Sequence, residues 1–83
     1  MSDFTAEWLA LREPADHRAR SARLAREIAR RLLGRSPLHV VDLGSGTGSN
    51  LRYLTPRLPP VQHWRLVDRD RALLARIRKP TMW

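Results

Sequence analysis

The sequence predicts an α/β architecture: a helical N-terminal segment leading into a β-α-β-α unit on a parallel sheet. Three observations support it. Two short apolar runs, Leu38–Leu43 and Trp64–Val67, are separated by a helical pattern and by proline breaks. Three of the four glycines, Gly44, Gly46 and Gly48, fall within five positions directly after the first run. The second run ends at a carboxylate, Asp68, roughly 20 residues past that loop. Strand, helix and parallel strand in this order join by a right-handed crossover.

The elements follow in chain order. Phe4–Leu11 is expected to be a short helix with Phe4, Trp8 and Leu11 on one side. Proline is tolerated in a first helical turn, so Pro14 places the start of a second helix near Glu13 or Ala15. Residues 16–33 carry helical periodicity, with Leu24, Ile28 and Leu32 four apart and Ala25 and Ala29 beside them. Gly34 suits the C-terminal cap, and Ser36-Pro37 breaks to the first strand. Ser49–Thr55 reads as a helix with Leu51 and Leu54 inward, and Pro56 disfavours helical geometry at Thr55. Pro59-Pro60 separates it from the second strand. Asp70 is a natural N-cap for a last helix over Arg71–Arg78, with Leu73, Leu74 and Ile77 on it and Pro80 beyond.

The glycine loop carries the chemistry. Glycine is unfavourable unless the backbone needs positive φ or must approach something closely. Three at alternate positions exceed what a strand-to-helix turn requires. The spacing is G-x-G-x-G, not the G-x-G-x-x-G of dinucleotide sites, and Ser49 stands where that pattern wants its small residue. The phosphate loop ending in Gly-Lys is excluded, because the chain has no Gly-Lys pair. Asp42 heads the loop, giving Asp42-Leu43-Gly44-Ser45-Gly46-Thr47-Gly48. At the end of the second strand, Asp68 is placed to accept from both hydroxyls of a ribose, or alternatively to serve as a turn residue ahead of Asp70.

This D-x-G-x-G-x-G loop, followed by an acid closing the next strand, resembles the first two motifs of the class I, Rossmann-like S-adenosylmethionine-dependent methyltransferases. The resemblance covers about residues 38–78, with a looser match in the N-terminal helices. It implies the opening βαβα portion of a larger seven-stranded sheet, so the chain is expected to be the N-terminal, truncated part of such an enzyme. Residues 1–36 are then the helical preface and 37–83 the cofactor-binding portion. It also implies S-adenosyl-L-methionine as cofactor, with Gly44, Ser45, Gly46 and Gly48 cradling its methionine end. By the same resemblance Asp42 attracts the ammonium, directly or through water, and Asp68 holds the ribose. Asp42 has a competing role in satisfying loop amides. Arg69 stands where the family often has an apolar residue against the adenine. Residues 8–13 are expected to form a lid, as pre-core helices do in similar enzymes. Trp8, Tyr53 and Trp64 are read as packing residues. The matched motifs place no general base and name no methyl acceptor.

Composition sets the remaining bounds. Eighty-three residues make one small domain, and a chain of this size buries only about 60% of its unfolded surface. There is no cysteine, which excludes disulfides and thiolate metal sites, and the three histidines lack metal-ligand spacing. No apolar run approaches the roughly 18 residues of a membrane span. The opening Met-Ser-Asp-Phe-Thr-Ala-Glu has no signal-peptide pattern, so a cytoplasmic location is expected. The net charge of +8 raises nucleic-acid binding. Fifteen of the sixteen basic residues are arginine, however, and they are dispersed without interleaved aromatics, as on solvated helix faces. The competing functional reading is a non-catalytic basic fragment that binds nucleic acid or a partner protein. An enzyme of this kind needs more chain, a complementing chain or an oligomer to complete its sheet.

Overall fold

The structure is a computed structural model that describes residues 5–78. Its elements are α1 (Ala6–Ala19), α2 (Ala22–Arg31), β1 (Leu38–Leu43), α3 (Ser49–Leu54), β2 (Gln62–Val67) and α4 (Arg71–Leu74). The strands pair in parallel, from Leu38 opposite Gln62 to Leu43 opposite Val67. The chain is thus a small α/β domain of helices around a two-stranded parallel sheet. At the far end of the ladder the Val67 carbonyl accepts from both Gly44 N (2.7 Å) and Ser45 N (3.0 Å). That forked bond ends the pairing and brings the glycine loop to the C-terminal end of β2.

The sheet is two-sided in sequence and in burial. Val40 and Asp42 of β1, with Trp64 and Leu66 of β2, are part-buried beside buried Leu38. The opposite face presents His39, Val41, Leu43, His63, Arg65 and Val67 to solvent. Leu51, Tyr53, Leu73 and Ala25 complete the buried apolar set among the described residues. Two of the three histidines, far apart in sequence, are brought together by the strand register. His39 and His63 are register partners whose rings stack 5.3 Å apart. Among the described residues no group of three or more histidine or acidic side chains is placed to hold a metal.

The helical preface departs from the sequence reading. Instead of a helix restarting near Glu13 or Ala15 and running to 33, α1 passes through Pro14 and the chain breaks at Arg20. Pro14 has no amide to give the Ala10 carbonyl. A bidentate pair from Arg12 to Asp16 (2.9 and 3.1 Å) bridges that turn. The break comes where a cap is available, because Ser21 Oγ accepts from Leu24 N at 3.1 Å and starts α2. Phe4 lies outside the described residues. Its expected neighbours are solvent-facing, Leu11 at 83% and Trp8 at 41% exposure.

The face of α2 is also rotated from expectation. Leu24 and Ile28 are exposed, whereas Ala25 is buried and Ala29 and Leu32 are half-buried. The apolar arc of α2 spans about half the helical wheel. Only its middle line, Ala25–Ala29–Leu32, meets the core, so the larger residues are left on its shoulder. In α3, Leu51 and Tyr53 are buried and Leu54 is half-buried. The last helix is one turn, Arg71–Leu74, not Arg71–Arg78, and Pro80 lies outside the described residues. Asp70 caps it as expected, accepting from Ala72 N at 2.9 Å and Leu73 N at 3.3 Å. Among the described residues, no helix is long and apolar enough to cross a membrane.

Candidate functional site

The loop after β1 uses all three glycines in the left-handed region, with φ of 72° at Gly44, 56° at Gly46 and 92° at Gly48. Their local duties differ. A Cβ on Gly44 meets nothing within 4 Å, so the backbone there borders open space. Gly46 lies under α1, with Leu9 Cδ1 3.6 Å from its notional Cβ. Gly48 is a packing glycine: a Cβ there comes within 3.2 Å of both Arg52 Nη1 and Ile77 Cγ2. It begins α3 and does not border the cleft described below.

Asp68 sits one residue past β2 and ties the loop to the strand end. Its Oδ2 accepts from Gly46 N at 2.9 Å and its Oδ1 from Asp70 N at 2.8 Å. These amides, first Asp70 and then Gly46, hold its carboxyl below the usual aspartate range. The residue therefore acts as a turn residue and still lines the cleft. A carboxylate oxygen has about two acceptor sites, so one on each oxygen stays available beyond the backbone bonds.

An open cleft of ≈ 630 Å³ lies over this strand end. That is within the usual range for small-molecule sites. The loop contributes Gly44, Ser45, Gly46 and Thr47, and the end of β2 contributes Val67, Asp68 and Arg69. Ser49 and Asn50 border it from α3, and buried Leu73 supplies apolar surface. Leu9, Glu13 and Asp16 form a wall from α1. Trp8, Tyr53 and Trp64 do not line it; Tyr53 is buried and Trp64 part-buried, as packing residues would be, whereas Trp8 is exposed.

Among the described residues, two polar atoms at this end of the sheet lack protein partners. Ser45 is 7% exposed, and its Oγ has no hydrogen bond. Asp42 Oδ2 is likewise buried and unpartnered, while its Oδ1 accepts from Asn50 Nδ2 at 3.2 Å. Such groups cost free energy unless something polar meets them. Asp42 itself does not line the cleft but stands behind Asn50, which does. Its protein partner is a side chain rather than the loop amides.

Sequence reasoning missed the network that docks α1. Glu13 and Arg52 form a two-point ion pair (Nε–Oε2 2.8 Å, Nη2–Oε1 2.5 Å) with both side chains only 12% exposed. Arg52 also donates to the carbonyls of Thr47 (2.6 Å) and Arg78 (2.9 Å), joining α1, the loop, α3 and the segment after α4. The Arg52 hydrogen bond is the main cause that lowers the Glu13 pKa, against an opposing effect of burial. Farther along α1, His17 Nε2 lies 3.0 Å from Ser49 Oγ, and Arg20 donates to Asn50 Oδ1. No sequence period connects positions 13 and 52.

No family model, curated protein or solved structure matches the chain.

Proposed function

We propose that this domain carries the cofactor half-site of a class I, Rossmann-like S-adenosylmethionine-dependent methyltransferase. One observation carries the reading: Asp68, at the C-terminal end of β2, bonds to the glycine loop that follows β1, and both line one cleft. Open α/β sheets bind ligands in that position, outside the carboxyl ends of their strands.

The residues fit such a cofactor. Ser45 offers a buried hydroxyl without a partner, and the backbone at Gly44 borders space rather than packed atoms. A bound S-adenosylmethionine supplies an activated methyl on a sulfonium, so the protein's task is positioning. Gly44, Ser45 and Gly46 would hold the methionine end along the loop. Asp68 would accept from the ribose hydroxyls through its free lone pairs. Val67 and Leu73 offer apolar surface nearby, and Arg69 borders it with a guanidinium able to stack on a base. Asp42 would act on the ammonium through Asn50 rather than directly. Leu9 and Glu13 on α1 would exclude water from one side.

Calorimetric titration with S-adenosylhomocysteine tests the reading. The chain is expected to bind it saturably, and Asp68→Ala to remove binding. Because that variant also strands two backbone amides, it should lose about 1–3 kcal/mol of stability, read by urea unfolding. Asp68→Asn keeps an acceptor and separates the two effects. Absence of binding by the folded wild-type chain contradicts the proposal.

A further inference from the structure

A second groove, of ≈ 530 Å³, runs between α2 and the segment joining α3 to β2. Its apolar surface comes from Ala25, Ala29, Leu33, Leu58 and Pro59, and its charged residues are Arg26, Arg30 and Arg57. Among the described residues no carboxylate lines it. Leu33 is 72% exposed, so this surface is open to a partner.

The three guanidiniums differ in what holds them. Arg57 is fixed over the Tyr53 ring at 3.9 Å and donates to the Tyr53 carbonyl at 2.5 Å, which spares it ordering on binding. Arg30 pairs with Glu27 at 2.7 Å, but Arg31 shares that carboxylate at 3.0 Å, so the trio stays positive. Arg26 takes part in none of the ion pairs among the described residues.

We propose that this groove docks an acidic amphipathic helix of a partner protein. The apolar floor suits a stripe of residues at i, i+3, i+4 and i+7, the recognition mode of helix-in-groove complexes. The arginine rim selects glutamates or aspartates beside that stripe and steers their approach. Sites for single-stranded nucleic acid stack bases on aromatic rings, and no aromatic residue lines this groove. A second copy of the chain is opposed by its net charge of +8. The groove is separate from the cleft at the strand ends and does not depend on what binds there.

The test uses the full chain and a fluorescent amphipathic peptide of about four helical turns, with a leucine stripe flanked by glutamates. Fluorescence anisotropy should show saturable binding. Replacing the leucines with serine, the flanking glutamates with lysine, or Arg26 with glutamate should each weaken it about tenfold or more. Leu33→Ser should weaken it as well. Both substituted side chains are exposed, so circular dichroism should be unchanged. No binding by the wild-type chain overturns the proposal, as does equal binding of the leucine and serine peptides. A uridine oligomer that binds more tightly than the peptide, with the same dependence on Arg26, overturns it in favour of a nucleic-acid face.

Discussion

The two N-terminal helices dock in opposite ways. Among the described residues α1 buries no side chain fully, yet two of its residues, Glu13 and His17, and Arg20 at its C-cap make side-chain hydrogen bonds to α3. On α2 the arrangement is reversed. It buries Ala25, and its side-chain pairs are local, Glu27 with Arg30 and Arg31. Apolar burial is non-directional and lets a helix rest wherever its stripe meets a core. Hydrogen-bonded pairs fix distance and angle. The helix that forms a wall of the cleft is therefore the one held in register by polar bonds. The other leaves a large part of its surface, including the arginine-rimmed groove, for a partner.

Breaking the α1 contacts should have the largest effect. Arg52→Ala leaves the largely buried Glu13 carboxylate without its partner and also removes donors from two carbonyls. A buried pair deprived of one member loses about 3–5 kcal/mol, so urea unfolding should show a loss near the lower end of that range. A Glu13→Gln/Arg52→Met double variant should recover part of it, giving a positive coupling in a double-mutant cycle.

Acid should weaken both the Glu13 pair and the turn held by Asp68. The carboxyls of Glu13 and Asp68 are both held below their ordinary ranges in the folded chain. As pH falls, the unfolded chain takes up protons first, so their contribution is full above the unfolded values and disappears as pH drops through the folded ones. Stability measured by thermal unfolding should therefore decline below about pH 5. The decline should be shallower in the Glu13→Gln variant.

A smaller effect sharpens the comparison from the α2 side. Ser21→Ala removes the cap that separates the two helices and should cost about 1 kcal/mol. Because α2 docks without directional bonds, the loss should leave the cleft unaltered. Unchanged affinity for S-adenosylhomocysteine checks this.

What the sequence revealed follows the range over which each residue acts. The glycine loop was legible because positive φ at Gly44, Gly46 and Gly48 is a local demand that few other residues meet. Asp68 was legible because strand spacing places it. Asp70 announced its helix through a cap within three residues. The continuous period over residues 16–33 concealed the break at Ser21, since amphipathic spacing continued across it. Hydropathy favoured Leu24 and Ile28 over Ala25, whereas the shape of the core selected the smaller residue. The pairing of Glu13 with Arg52 spans 39 positions, and no local pattern records it.

The most direct test of the account is hydrogen exchange over residues 6–19, with and without S-adenosylhomocysteine. If α1 is a wall of a cofactor cleft, its amides should exchange more slowly on adding the ligand, and Asp68→Ala should abolish the change. Ligand binding that leaves α1 exchange unaltered would contradict the role assigned to Glu13 and its neighbours.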